Sequence, residues 1–161
     1  MILLNLNKKI KGDSVYKGYE DWISVHSVNF SITRGISGVS GGADRKVDSP
    51  IISDIPISKK LDVASVFLMI QAASGISLGK VEIHFVEVRD GAVTPYLEIE
   101  LTEGILGGYS LGGSGNGEEA ESFFINHIGL KMKYNQLKDG KIVAAGQWQG
   151  IDMKTSENVS K

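Results

Sequence analysis

A chain of 161 residues with 42 % hydrophobic and 22 % charged side chains has the composition of one globular domain with a hydrophobic core of its own. A formal net charge of -2 excludes a surface built to neutralise nucleic-acid phosphates, and the lack of cysteine excludes disulfides, thiolate metal sites and thiol nucleophiles. The short basic clusters, Lys8-Lys9-Ile10-Lys11 and Lys59-Lys60, read as solvated turns and strand ends.

Apolar and polar residues alternate after Leu3, and Ile2, Leu4 and Leu6 predict a first strand. The apolar run ends before Lys8, too short for a signal-peptide core or a membrane span, so export without a cleaved N-terminal signal is expected. From Trp22 to Thr33 the apolar phase changes. Ile23 and Val25 share one phase and Val28, Phe30 and Ile32 the other, which predicts a bulge near His26 and Ser27. Gly35 to Pro50 reads as a long Gly- and Ser-rich loop. Ile51 to Ile57 reads as a short edge strand, because Pro56 has no N–H to give to a ladder.

Ile57 to Gly75 is the one helical pattern, with the helix expected over about 62–74. Asp62 is placed to cap its first turn, Leu61 to begin a hydrophobic staple and Gly75 to supply a left-handed stop. Val63, Val66, Phe67, Ile70 and Ala73 form a stripe expected to pack on the sheet. Next, Val81, Ile83 and Phe85 alternate with Glu82, His84 and Val86, and Arg89-Asp90-Gly91 turns the chain so that Tyr96 to Leu101 returns antiparallel. Gly104 to Gly117 reads as an interruption, followed by one long strand from near Glu121 that carries Ile128, Leu130, Met132 and Tyr134. Lys138-Asp139-Gly140 turns into a last strand, Lys141 to Ile151, with Trp148 its large side chain, and Asp152 to Lys161 reads as a frayed polar tail. The pattern predicts a single mainly β domain over 1–161, a closed antiparallel β-barrel or two-sheet barrel with one helix and extended loops.

No residue set makes a persuasive catalytic, cofactor or metal site. Gly38-Val39-Ser40-Gly41-Gly42 fits the G-x-S-x-G pattern, but no helical stripe follows to strain Ser40 into exposure, so a flexible loop is the expectation. Gly113 to Gly117 resembles a phosphate loop in composition only, since it leads into a strand and offers no helix N-terminus. His26, His84 and His127 share no metal-ligand spacing and read as strand-surface residues. Glu98 and Glu100 fall on one strand face, with Glu103 beyond them, and read as solvated. Strand edges and Gly-rich segments without a catalytic set favour assembly over catalysis.

Several segments, in order, resemble the haemolysin-coregulated protein (Hcp) family, the tube subunit of the bacterial type VI secretion system. Trp22-Ile23-Ser24-Val25-His26-Ser27-Val28-Asn29-Phe30 is similar to its early strand, and Ile57 to Ser65 with Leu68, Ala72 and Gly75 to its lysine-containing helix entry and Asp-x-Ala-Ser. Tyr96 to Leu101, and Glu121 to Gln136 ending Tyr134-Asn135-Gln136, resemble two later strands. Val66 departs from a proline common in the family, and Gly104 to Tyr109 departs from its valine- and serine-rich strand.

The resemblance implies a tight β-barrel whose six copies close into rings that stack and are expelled by a contractile sheath, with spike and sheath proteins as partners and effectors held in the lumen. No nucleic acid, no membrane insertion and no enzymatic activity are implied. Ser27, Asn29 and Ser31 alternate against core residues, and the resemblance makes that small polar face the lumen wall. The loop Gly35 to Lys46, with Gly35, Gly38, Ser40, Gly41, Gly42, Asp44 and Arg45, is the expected contact between stacked rings. The alternatives are a phage tail-tube protein of the same fold and a small-molecule-binding or hydrolytic β-barrel.

Overall fold

In a computed structural model of the chain, the described residues are 1–7, 9–38, 46–117, 119–155 and 157–160. The strands before the helix are β1 (Ile2–Asn5), β2 (Ile23–Val25), β3 (Ser27–Val28), β4 (Ile32–Thr33), β5 (Ile36–Ser37), β6 (Lys46–Val47), β7 (Ile51–Ile52) and β8 (Ile55–Lys59). The helix α1 (Ser65–Ser74) precedes the long pair β9 (Ser77–Arg89) and β10 (Ala92–Gly113). The chain continues as β11 (Glu119–Asn126), β12 (Gly129–Tyr134), β13 (Gln136–Lys138), β14 (Lys141–Ala144), β15 (Gln149–Asp152) and β16 (Glu157–Ser160).

The β9–β10 hairpin organises everything else. Asp90 and Gly91 both take positive φ, 51° and 77°, the pair of left-handed conformations that a two-residue turn needs to match the twist of its strands. The first half of β10 lies between β9 and β12, with Ile99 opposite both Ile83 and Met132. Its second half pairs with β11, which pairs with β8, which pairs with β3. The change of partner falls at Gly104, where the register slips and a Cβ would stand 2.6 Å from Val81 Cγ2. Only glycine leaves room for that crossing. The expected interruption from Gly104 to Gly117 is therefore mostly strand, with its turn confined to the end of β10, and its glycines serve close approach and a slip at Gly107–Tyr109.

One wall is thus β2–β1–β9–β10–β12–β15–β16 and the other β10–β11–β8–β3, with Leu4, Ile23, Ile57, Ile83, Ile99, Leu101, Phe123 and Ile125 buried between them. The sheets are open, and the closed barrel expected from the sequence is not formed by the ladders. β2 and β3 share no ladder: at His26 a bend turns the chain from β2, paired with β1, into β3, paired with β8. The predicted change of phase occurs there: Ile23 and Val25 are buried and Val28 and Phe30 pack on the same core, whereas Ile32 is exposed.

Other elements differ from expectation for identifiable reasons. β8 is an interior strand, not an edge. Pro56 is tolerated there because its nitrogen shares the side of its carbonyl, which accepts from Asn29 N just beyond the last ladder pair of β3. The long strand expected from Glu121 breaks at His127–Ile128 into β11 and β12, and the one expected over Lys141 to Ile151 divides into β14 and β15. Glu157–Ser160, inside the tail expected to fray, pairs with β15. The loop expected over Gly35 to Pro50 contains the β5–β6 pair, which with β4–β7 makes a two-stranded arm.

The helix begins later than expected and turns the other way. Asp62 Oδ1 accepts from Ala64 N at 2.8 Å and Ser65 Oγ accepts from Asp62 N at 3.0 Å, so Asp62 fixes the approach while Ala64 holds the N-cap position. Gly75 ends the helix in the left-handed conformation, φ 62°, its N–H donating to Gln71 O, as the sequence predicts. The buried side is Ala64, Ser65 and Leu68, with Ala72 against the core. The expected core stripe, Val63, Val66, Phe67, Ile70 and Ala73, is exposed, and so is Leu61 of the expected staple.

Candidate assembly surfaces

The outward face of the β10–β11–β8–β3 wall is a row of serines. Ser27 lies opposite Ser58, Ser58 opposite Ser122 and Ser122 opposite Ser110, four strands in register. Strand alternation puts their neighbours Val28, Ile57, Phe123 and Tyr109 on the inward side. Ser27 Oγ and Ser58 Oγ are 2.6 Å apart, so the half-buried pair satisfy one another. In the next row Pro56 lies opposite Phe124, whose ring rests on Gly107 and Gly108, where an added Cβ would come within 2.6 Å of it. Among these strands the outward positions from Pro56 to Ser58, Ala120 to Phe124 and Gly108 to Gly112 carry no charge. Ser27 belongs to the serine row and Asn29 is exposed beside it. Ser31 stands apart, at the root of the arm, where its N–H donates to Ser53 Oγ and its carbonyl accepts from Ser53 N.

The arm carries Ile32 opposite Ile52 and Ile36 opposite Val47. Gly35 is exposed and its carbonyl accepts from Asp48 N at 2.9 Å, while Gly38 is exposed beyond β5. Ser40, Gly41, Gly42, Asp44 and Arg45 lie outside the described residues.

Behind the serine row sits a buried ionic cluster that the sequence reading missed. Lys59 Nζ is completely buried and meets Asp62 Oδ1 at 2.7 Å, the Glu121 carboxylate, and the Lys60 carbonyl at 2.7 Å. Ser65 Oγ donates to Glu121 Oε1 at 2.8 Å and the Tyr109 hydroxyl donates to Glu121 Oε2. Burial, and then that bond to Glu121, push the Tyr109 hydroxyl up to about 12. The cluster ties β8, β11 and β10 to the first turn of α1. A signal for it was present, since Lys59 continues the inward phase of Ile55 and Ile57, and Glu121 that of Phe123 and Ile125. That phase puts Lys59 inside the wall and not at a solvated strand end.

The opposite wall presents a different outward face. Glu98 and Glu100 share it, as expected, but both are half-buried and paired rather than simply solvated: Glu98 meets Lys133 at 2.7 Å and accepts from Asn135 Nδ2 at 2.8 Å, and Glu100 meets Lys131 at 3.0 Å. Lys131 and Lys133 lie over the Trp148 ring, at 5.4 and 5.1 Å from its centroid. Glu103, at positive φ, accepts instead from Ser77 Oγ. His84 hydrogen-bonds through Nδ1 to the Tyr19 hydroxyl at 3.0 Å, has Glu98 Oε2 3.8 Å from Nε2, and packs against the Trp22 ring at 4.9 Å. Burial holds His84 below the ordinary histidine range, and Glu98 and Glu82 pull against it. Burial, and then Glu98, push the Tyr19 hydroxyl up to about 12.

The histidines do not converge. His26 is exposed at the β2–β3 bend, His84 is on β9, and His127 sits between β11 and β12 with Nε2 3.3 Å from Ser53 O. Burial lowers His127 as well. Among the described residues no group of three or more His, Asp or Glu side chains is placed to hold a metal ion, and no helix is long and apolar enough to cross a membrane.

Comparison with known proteins adds an independent line. Residues 3–134 match the family described as "Type VI secretion system effector, Hcp". Among solved structures, one titled "Structure of a type six secretion system protein" aligns with 19 % identity over 98 % of each chain and a TM-score of 0.88. Hcp1 from Salmonella typhimurium aligns with 21 % identity over 98 % of this chain and 97 % of its own, with a TM-score of 0.75. A type VI secretion system effector from Yersinia pestis gives 18 % identity over 94 % and 99 %, with a TM-score of 0.71. At these identities the likeness speaks to the fold. No curated protein sequence matches the chain significantly.

Proposed function

The chain belongs to the Hcp family of the type VI secretion system and is a tube subunit of that system, and on this premise we propose that six copies close into a ring whose inner wall is the serine face. The observation that carries the reading is the register of Ser27, Ser58, Ser122 and Ser110 across four strands. A lumen that passes varied proteins is served by small uncharged groups, which hydrogen-bond weakly and fit many surfaces. Ser27 and Asn29 stand on this wall, and Ser31 stands where it meets the arm.

Rings stack through the arm with Gly35 and Gly38, and through the sequence that follows it, with Ser40, Gly41, Gly42, Asp44 and Arg45. One domain spans 1–161. The tube is loaded with effectors in the bacterial cytoplasm, engages spike and sheath components, and is secreted. The family is a secreted one.

Sedimentation and negative-stain electron microscopy of the purified protein test this. A six-membered ring with a central pore is the expected result, and a monomer throughout the micromolar range overturns it. Asn29→Arg is expected to leave the ring intact and abolish effector retention. Rings that keep their cargo equally well would remove Asn29 from the lumen.

A further inference from the structure

We propose that the outward face of α1 is the seat for the apolar arm of a second copy of this chain. The inference rests on the tube-subunit reading, which supplies the second copy. α1 holds ten residues, Ser65–Ser74, and none is charged. A helix on a protein surface ordinarily carries its charges on the solvent side. Here that side is Val66, Phe67 and Ile70, 65 %, 62 % and 58 % exposed, flanked by Val63 and Ile76. At roughly 150–200 Å² for a large apolar residue, the five present on the order of 500 Å² of apolar surface, a large part of the ~800 Å² that each partner gives to a specific interface. Depletion of charge at the centre of such a patch is the compositional mark of an interface core.

The arm is the complementary piece. Ile32, Ile36, Val47 and Ile51 are all exposed on it, although an isolated two-stranded ribbon is marginal in water and gains stability by laying its apolar side chains on something. Two different apolar patches on one chain are what a growing assembly requires. A helix-to-helix contact about a two-fold axis would use the patch up in a dimer, whereas arm-to-helix contact leaves each copy one free arm and one free seat. The seat is also held in place, since the Lys59, Glu121 and Asp62 cluster and Ser65 anchor its first turn and Leu68 is fully buried beneath it.

Because the chain has no cysteine, paired cysteine substitutions report the contact cleanly. Val66→Cys is combined in turn with Ile32→Cys, Ile36→Cys, Val47→Cys and Ile51→Cys, and each assembled double variant is oxidised mildly and run denatured without reductant. A ladder of covalent multimers beyond the dimer is expected from at least one pair, with every single variant monomeric. Dimers from Val66→Cys alone would mean helix meets helix and overturn the proposal. Monomers from all four pairs, in samples that sediment as rings or tubes, would overturn it while leaving the tube-subunit reading intact, and failure of the unmodified protein to assemble at all would overturn both. Phe67→Asp supplies a second arm, with an unchanged thermal melt of the subunit and at least tenfold weaker assembly expected. Unimpaired assembly of Phe67→Asp counts against the seat.

Discussion

The two halves of β10 lie in two walls whose outward faces solve the same problem differently. Along its first half, Glu98 and Glu100 are matched to Lys133 and Lys131, with His84, Tyr19, Asn135 and Trp148 packed around them, so charge is present and locally neutralised. Along its second half the outward positions are Ser110, Gly108 and Gly112 beside Ser122, Ser58 and Ser27, and the charge of that wall has moved inside, to Lys59 and Glu121. Ion pairs on a half-exposed face contribute little each, typically ~0.2–1 kcal/mol, but they fix the partners of each side chain. A bare serine row fixes almost nothing outward. The difference separates a wall specialised for its own internal order from one left smooth.

The largest loss is expected where the buried charge behind the serine wall is deprived of its cation. Lys59→Met would leave Asp62 and Glu121 as two uncompensated carboxylates, and a loss of about 3–5 kcal/mol in a urea titration is expected. Adding Glu121→Leu should recover part of it. If Lys59→Met is neutral, the cluster does not anchor the wall to the helix.

The junction between the walls is the next test. Gly104→Ala puts a methyl group 2.6 Å from Val81 Cγ2, and overpacking of that kind costs ~1–3 kcal/mol. The midpoint of denaturation should fall by the corresponding amount, whereas the same change at Gly112, which has open space around its Cβ position, should leave it nearly unmoved.

The smallest effect sharpens the contrast through pH. Burial holds the folded pKa of His84 below the ordinary histidine value of 6.5. Above that pH it is neutral in both folded and unfolded chains and its contribution is fully present. As pH falls below 6.5 the unfolded chain takes up the proton first, and stability is lost until the folded pKa is passed. His84→Gln should therefore flatten the fall in melting temperature between neutral pH and mild acid. A residual slope from His127, lowered in the same direction, is expected to remain. An unchanged slope in His84→Gln would show that the charged wall is not the acid-sensitive one.

Much of the fold was legible because it depends on local chemistry. Asp90-Gly91 and Asp139-Gly140 supply the left-handed residues their turns need, Gly75 stops the helix, and the change of apolar phase near His26 is written into Ile23, Val25, Val28 and Phe30. Glu98 and Glu100 fell on one face because strand alternation is a property of the backbone alone. The serine face was glimpsed at Ser27. Its continuation through Ser58, Ser122 and Ser110 was not, because register between strands far apart in sequence is set by the whole sheet.

The sequence by itself determined a mainly β chain with one helix, its turns, its family and the inward or outward phase of most strand residues, since each follows from spacing within a few residues. Only the tertiary structure decided which side of α1 is buried. The apolar stripe Val63, Val66, Phe67 and Ile70 has the stronger hydrophobic claim on the core, yet Ser65 and Leu68 face it, because Lys59 and Glu121 pull the first turn down through Ser65 and Asp62. A fully buried cation needs its partners more than an apolar side chain needs cover. That requirement arises only where β8, β11 and the helix meet.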